Sequence, residues 1–252
     1  MKINMLENSL KIKNWKLKIT FCAFFLFTFS LFLLPSNVEA FTITRGQANT
    51  LGLIGWWTFD GKDMPSGKVN DVSGNGNHGS AINIATSTFY TVGKIGQGLK
   101  FDGADDHIQT TSNFIGTTAI SVCMWLLPPS VPAETFVSNG KLIFGSSSSN
   151  RIKLLSDGST TANSATNSVT NNKWNFICGT RDTSGTANLY VNGTLSGTAN
   201  QSSGTPTAGI ASVRIGGAVT GGGYLIGSID DLRIYNRVLS VGEIQQLYNL
   251  GR

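Results

Sequence analysis

The chain has 252 residues, and its formal net charge is +5 at pH 7. The first 40 residues contain five lysines and two glutamates, so the rest of the chain carries a net charge of only +2. Such a balance supplies no dense basic surface, and we therefore expect no nucleic-acid partner. The 30 glycines, with abundant serine, threonine and asparagine, predict one β domain of short strands joined by turns.

The N-terminal segment has the organisation of a secretory signal. Its lysines precede an apolar run of about 14 residues (21–34), whereas a helix that spans a bilayer needs about 20. The small residues that a signal peptidase reads precede Phe41, which predicts a signal peptide over 1–40 and a short tail over 41–50. The alternative is an uncleaved membrane anchor. We expect a secreted protein, extracellular or at the cell surface, without a membrane span after cleavage.

The N-terminal half of the domain shows alternating strand patterns. Leu53–Phe59 predicts the first strand, in which Trp56 and Trp57 lie on opposite faces. A polar loop rich in glycine and asparagine follows over 71–79, and its Asx side chains are suited to bonding nearby backbone. Further alternating patterns follow it at 92–103 and 107–111.

Two cysteines follow the signal segment, each within a strand-like run. Cys123 lies in I-S-V-C-M-W-L and Cys178 in W-N-F-I-C-G-T-R. An even number in an exported chain favours a disulfide, while two buried thiols packed as small apolar side chains are the alternative. The spacing does not decide between them. The second run and residues 187–193 predict a hairpin, whereas the polar stretch 138–170 fits either strands or loops.

The C-terminal segment predicts a strand followed by a short helix. Asp230 and Leu232 share one parity and Asp231 and Arg233 the other, which is typical of a half-buried strand. The later spacing of Ser240 and Glu243, three residues apart, is that of a capping box.

That helix also has an apolar stripe and a stop signal. Ile244, Leu247 and Tyr248 form the stripe, and Gly251 lies where a helix of this length would end.

Several motifs in this order resemble the LamG-like jelly-roll family and its pentraxin relatives. They are W-W-T-F-D at 56–60, D-V-S-G-N-G-N-H-G at 71–79, G-K-I-G-Q-G-L-K-F-D-G at 93–103, the hairpin at 174–193 and the closing strand and helix. The resemblance implies an all-β, concanavalin A-like jelly-roll β-sandwich of two antiparallel sheets with one short C-terminal helix, over residues 51–252. Pentraxins have one cysteine in each corresponding strand and these are bonded, so the resemblance implies a Cys123–Cys178 disulfide.

Catalysis is not indicated by the residues. Glycoside hydrolysis normally needs two carboxylates that flank one bond, but only Glu134 and Glu243 follow the signal segment as glutamates. The adjacent pairs 105–106 and 230–231 are expected to point to opposite faces of a strand. We therefore predict that the protein is not an enzyme.

Calcium is the metal that the residues favour, because it takes oxygen ligands from carboxylates, amides and loop carbonyls. In sandwiches of this class the first and last strands are often neighbours, which would bring Asp60, Asp71, Asn75 and Asp230 into one region. We predict a structural calcium ion there. The alternative is that these side chains only cap turns.

The Gly-rich stretch 216–227 contains no carboxylate, which departs from the pentraxin pattern and argues against a phosphocholine site. Tyr224 and Tyr90 are the aromatic residues suited to stacking on a sugar, although such residues also cover sheet edges. The prediction is a non-catalytic binding or adhesion module whose partner is an extracellular glycan or a cell-surface protein. A structural surface protein without a soluble ligand and a hydrolase are the alternatives.

Overall fold

The computed structural model describes residues 50–85, 90–116, 119–156, 159–199 and 209–252, without the side chains of 159–161. The predicted signal peptide, its cleavage site and the tail up to residue 49 lie outside the described residues. Within the described ranges, no helix has the length and apolar character needed to cross a membrane.

Sixteen strands and one α-helix form the described part, apart from two single-turn 3₁₀ helices at Gly61–Asp63 and Pro65–Gly67. In chain order they are β1 (Leu53–Trp57), β2 (Lys68–Val69), β3 (Gly79–Ile82), β4 (Tyr90–Val92), β5 (Gln97–Asp102), β6 (His107–Thr110), β7 (Ile120–Leu127), β8 (Thr135–Ser138), β9 (Leu142–Ser147), β10 (Arg151–Ser156), β11 (Ser159–Asn163), β12 (Asn175–Arg181), β13 (Ala187–Val191), β14 (Thr194–Ala199), β15 (Arg214–Ile215), β16 (Ile226–Tyr235) and α1 (Val241–Leu250).

The strands form two antiparallel sheets, as predicted for the jelly-roll sandwich. Sheet A has the order β14-β13-β12-β7-β16-β5-β4, and β1 also pairs with β16. Sheet B has the order β11-β10-β9-β8-β15-β6-β3-β2. The stretch 138–170, which the sequence left undecided, contributes the three consecutive strands β9, β10 and β11 to sheet B.

The main core lies between the two sheets. One continuous row of partners crosses the inner face of sheet B: Ala81, Ile108, Ile215, Val137, Phe144, Leu154 and Ala162. Sheet A contributes alternate residues of β7, namely Ile120, Val122, Met124 and Leu126. Each large apolar side chain buried in this way contributes about 1.5–3 kcal/mol relative to exposure.

A second apolar cluster lies on the outer face of sheet A, beneath α1. Ile244 and Leu247 of the helix pack on a cluster that includes Trp125, Phe176 and Tyr235. The capping box is present, because the Ser240 side chain accepts from the Glu243 amide and the Glu243 side chain accepts from Ser240. Gly251 is the C-cap, as predicted.

The disulfide and the burial of β16 follow from this arrangement. Cys123 and Cys178 are register partners on β7 and β12 and are joined by a disulfide, as the resemblance implied. The half-buried strand predicted for 230–235 is wrong, because Gly227–Tyr235 is buried throughout. The core covers one face of this strand, and the second cluster with its surroundings covers the other.

Candidate functional site

The edge of β16 opposite β7 is shared by two strands, and a gap lies between them. β5 pairs with Ile226–Ile229, and β1 pairs with Leu232–Tyr235. Asp230 and Asp231 lie in the gap, where β16 has no neighbour on that edge. The first and last strands are therefore neighbours, as expected, and their junction leaves two carboxylates between strand ends.

A β-bulge turns both carboxylates toward the same side. Asp230 pairs with Trp125, and Arg233 pairs with Cys123. Between these two pairs, β16 therefore contains one more residue than β7. Asp231 has a φ of 49°, which marks the extra residue. The prediction that 230 and 231 point to opposite faces is wrong, because the bulge breaks the alternation and both side chains line one cavity.

This cavity has a volume of about 700 Å³, within the range of about 300–1,000 Å³ that is typical of small-molecule sites. Its apolar lining includes Ile95 from the β4–β5 turn and Leu250 from the end of α1. The remaining lining includes an indole, three carboxylates and two cations: Trp56, Asp60, Asp230, Asp231, Lys62 and Arg233.

Trp56, Asp231 and Arg233 form one interlocked wall of the cavity. The Trp56 indole Nε1 donates to Asp231 Oδ1 at 2.6 Å, and Arg233 Nη2 lies 3.1 Å from Asp231 Oδ2. The guanidinium carbon of Arg233 lies 4.2 Å from the centre of the Trp56 ring, a cation–π distance. These contacts hold the indole in one orientation and pair the Asp231 charge inside the protein.

Asp230 forms the floor of the cavity and has 0% exposed surface. Its Oδ2 accepts from the Ile95 amide at 2.7 Å, while Oδ1 has no hydrogen-bond partner. Burial, together with the neighbouring Asp231 charge, raises the pKa of Asp230 to about 7 despite the hydrogen bond from Ile95. This carboxyl group supports the β4–β5 turn.

Asp60 and Lys62 form the polar, accessible side of the cavity. Asp60 Oδ1 accepts from the Gln97 amide at 2.8 Å, and Oδ2 lies 3.7 Å from Lys62 Nζ. The side chains of Asp60 and Lys62 are 24% and 71% exposed, so both are reachable from solvent. Lys62 also pairs with the adjacent Asp63.

Asp71 and Asn75 have a different role from Asp60 and Asp230. Asp71 accepts from the backbone amides of Trp56, Ser73 and Asn77 at 2.8–2.9 Å. The Asn75 amide nitrogen donates to the Leu53 carbonyl at 2.9 Å. These bonds hold the 71–79 loop against β1. Capping of this kind is the alternative to calcium binding given in the sequence analysis.

The four residues predicted to bind calcium do not form a compact ligand group. Among the residues that the structure describes, one set of three His, Cys, Asp or Glu side chains has its ligand atoms within 4.8 Å of one another, and it is Asp102, Asp105 and Asp106. Calcium binding by Asp60, Asp71, Asn75 and Asp230 stays a prediction.

The structure does not bring the two predicted sugar-stacking residues together. Tyr90 lies in β4 of sheet A, and its ring packs close to Gly61: a Cβ atom added to Gly61 would lie 3.3 Å from Tyr90 Cζ. Tyr224 lies in the Gly-rich segment before β16, and its ring centre is 6.1 Å from that of His107 in sheet B. Trp56, Lys62, Ile95, Asp231 and Arg233 were not predicted as site residues, because their convergence depends on the split edge of β16.

The comparisons with known families agree with the fold. The family model Laminin_G_3, of the concanavalin A-like lectin/glucanases superfamily, matches residues 102–245. This match covers more than half of the chain, which therefore belongs to this family. No curated protein matches the sequence.

Solved structures show the same fold at low sequence identity. Domain 4 of AbnA, a GH43 extracellular arabinanase from Geobacillus stearothermophilus, in complex with arabinotriose, matches with a TM-score of 0.62 and 19% identity, over 78% of this chain and 98% of that domain. The receptor-binding domain of botulinum neurotoxin type G matches with a TM-score of 0.55 and 19% identity, over 79% of this chain and 51% of that chain. The binding domain of botulinum neurotoxin DC in complex with SialylT matches with a TM-score of 0.57 and 17% identity. The match covers 81% of this chain and 52% of that chain. The chain thus spans about half the length of the two toxin domains.

Proposed function

We propose that this protein is a secreted, non-catalytic module that binds glycans outside the cell, through the cavity at the junction of β1, β5 and β16. The observation that carries the proposal is the combination in one cavity of a fixed indole, apolar walls and accessible charged groups. Sites for small ligands have this composition, in which apolar surface provides area and a few polar groups fix orientation.

The chemistry of the lining suits a sugar. The hydroxyl groups of a sugar donate to carboxylates and accept from ammonium groups, and Asp60 and Lys62 offer one of each at the accessible side. The carbon faces of a sugar ring are apolar and match Trp56, Ile95 and Leu250. Because the Trp56 side chain is already held by Asp231 and Arg233, little side-chain entropy is lost when a ligand packs on it.

The related structures support a carbohydrate as the ligand class. One of them is described in complex with arabinotriose and another in complex with SialylT, and both share this fold. The partner that we propose is an extracellular glycan, free or carried by a cell-surface protein. Such binding would make the protein an adhesion module.

The geometry of the carboxylates argues for binding without catalysis. A general acid or base must come within hydrogen-bond reach of the atom to which it transfers a proton. Asp230 has a pKa suited to such a role, but it has no exposed surface, and Asp231 is paired with Arg233. Asp60 is then the one accessible carboxylate among the three in the cavity, whereas glycoside hydrolysis uses two.

A glycan array with and without calcium tests the proposal, with the best-bound neutral oligosaccharide then measured by calorimetry. Trp56→Ala should reduce affinity at least tenfold, and Lys62→Gln, at an exposed position, should reduce it about threefold without a change in melting temperature. Tyr224→Ala tests the other stacking position predicted from the sequence and should leave affinity unchanged if the cavity is the site, whereas a loss equal to that of Trp56→Ala would move the site to the Gly-rich segment. Silence across the array would contradict the proposal and favour a structural surface protein, and turnover of a glycan would establish an enzyme.

A further inference from the structure

The outer face of sheet B carries a row of polar and basic residues that crosses four strands. Register partners join Lys68 to Ser80, Ser80 to Gln109 and Gln109 to Arg214. The next partner along the row, Ser138, is buried. The neighbouring row, from Ala81 to Ala162, faces the core. Because side chains alternate between the faces of a sheet, the polar row faces outward.

Two further cations extend this face. Lys153 and Arg151 alternate along β10 with the buried residues Ile152 and Leu154, so they also point outward. None of the four cations (Lys68, Arg151, Lys153 and Arg214) forms an ion pair with a carboxylate of the described residues. The described outward positions of these strands contain no aspartate or glutamate.

We propose that the outer face of sheet B binds an acidic polysaccharide chain that extends across the strands, at a site separate from the cavity in sheet A. We call this surface the basic face and define it by Lys68, Arg151, Lys153 and Arg214. The proposal does not depend on the ligand of the cavity, since the two sites lie on different sheets.

The spacing of the cations suits a polymer. Neighbouring strands lie about 4.8 Å apart, so the three steps from β2 to β15 place Lys68 and Arg214 roughly 14 Å apart. Three further steps separate β15 from β10, which carries Lys153 and Arg151. A single carboxylate cannot contact two cations at such distances, but a chain with a charge on successive sugars can.

Arg214 is held in place for such contact. Its Nη1 donates to the Ala218 carbonyl at 2.7 Å, and its Nε is 3.3 Å from Gln109 Oε1. A guanidinium fixed in this way is suited to a carboxylate, because its planar fork matches the two oxygens.

The side chains between the cations suit a polysaccharide. Ser80 and Gln109 lie between Lys68 and Arg214, and they offer a hydroxyl and an amide to sugar hydroxyls. Surfaces that bind single-stranded nucleic acid carry aromatic side chains on which successive bases stack, and the rings of His107 and Tyr224 lie 6.1 Å apart beside this row, so single-stranded DNA is included in the test. Asp105 and Asp106 immediately precede β6 and border the basic face at that end.

Affinity measurements with polygalacturonate test this inference, with its methyl ester as the neutral form of the same chain. The wild-type protein should bind the acid, bind the ester at least tenfold more weakly, and lose affinity for the acid as salt is raised. Arg214→Gln should weaken binding about fivefold, and the triple variant Lys68→Gln, Lys153→Gln, Arg214→Gln should abolish it. Lys100→Gln removes an exposed cation of sheet A and should change affinity less than about twofold.

Trp56→Ala separates this inference from the function proposed for the cavity, because it should leave affinity for polygalacturonate unchanged. Failure of both polysaccharide forms to bind, or equal binding of both, would overturn the proposal. So would equal losses in Arg214→Gln and Lys100→Gln. Binding of single-stranded DNA as tightly as polygalacturonate would show a general polyanion surface and would overturn the assignment to an acidic polysaccharide.

Discussion

The outer faces of the two sheets differ in what covers them. On sheet A, the helix α1 and a second apolar cluster cover the disulfide and the aromatic residues, and a cavity remains at the split edge of β16. On sheet B, an outward row of Lys68, Ser80, Gln109 and Arg214 crosses four strands, with the exposed apolar side chain of Ile82 beside it. The cavity carries three carboxylates, whereas the basic face carries four cations without a carboxylate partner among the described residues.

This difference shows that a net charge of +2 for residues 41–252 conceals an uneven distribution of charge: the cavity combines three carboxylates with two cations, whereas the basic face contains cations alone. The sequence expectation that no basic surface remains rested on the total, and the total does not report how charges are sorted between faces. It also follows that substitutions beneath α1 should affect stability, whereas substitutions in the cavity or on the basic face should affect binding.

Removal of the disulfide should have the largest effect on stability. Cys123→Ser with Cys178→Ser opens a loop with a sequence separation of 55 residues, for which the loss of chain entropy in the unfolded state is about 4 kcal/mol. Urea denaturation should show this loss, and reduction of the wild-type protein should reproduce it. An unchanged midpoint in both experiments would mean that the covered face does not depend on this bond.

Asp230→Asn should stabilise the protein at high pH. Burial raises the Asp230 pKa from 3.8 to about 7 in the folded state, whereas the unfolded chain loses this proton near pH 4. Ionisation therefore lowers the free energy of the unfolded state relative to the folded state between about pH 4 and 7, so the free energy of unfolding of the wild type falls across this window.

Because asparagine does not titrate, the variant should be more stable than wild type by at most about 4 kcal/mol at pH 8 and about equal to it at pH 4. Chemical denaturation at the two pH values measures the difference. Glu134, whose pKa burial also raises to about 7, should leave part of the pH dependence in place. Equal destabilisation at both pH values would show that Asp230 acts through its shape or hydrogen bond alone.

The calcium prediction can now be tested at two places. A ligand that binds only the folded state, at a hundredfold excess over its Kd, stabilises by about 2.7 kcal/mol, so calcium should raise the melting temperature measured in chelator. Asp230→Asn should remove that increase, and Asp105→Asn should retain it. If Asp105→Asn removes the increase and Asp230→Asn retains it, the ion binds at Asp102, Asp105 and Asp106 instead. Identical melting curves in chelator and in calcium would contradict the calcium prediction.

Substitution on the basic face should have the smallest effect on stability. Lys153→Gln removes a half-exposed cation without an ion-pair partner among the described residues, so the free energy of unfolding should change by less than about 0.5 kcal/mol. A loss of more than about 1 kcal/mol would mean that this face contributes to the fold and would weaken the contrast with sheet A.

The sequence was sufficient for the features that depend on local pattern. Strand alternation located β1, with Trp57 in the core and Trp56 on the outer side, and the Ser240–Glu243 spacing located the helix. It was not sufficient for the site, because the bulge at Asp231 leaves no mark in the residue pattern. The alternating pattern placed Leu232 and Ile234, which follow the bulge, on one face, and both lie in the core. The same pattern assigned Asp230 to that face, which is wrong because Asp230 precedes the bulge.

The basic face was hidden for a related reason. Lys68 and Arg214 are far apart in the sequence and become members of one row only through the register of four strands in sheet B. Register between distant strands is not encoded in the local alternation of any one of them. The pairing of β1 and β5 with one edge of β16, which creates the cavity, is likewise a property of the assembled sheet.

The most direct test of the account is amide and indole NMR of the protein titrated with the neutral oligosaccharide that binds best. If the cavity is the glycan site, the Trp56 indole N–H and the amides of Ile95 and Gln97 should shift in proportion to occupancy, while Arg214 and Gln109 on sheet B should not. Shifts confined to sheet B, with the Trp56 indole unchanged at saturation, would contradict the assignment of the glycan site to the junction of β1, β5 and β16.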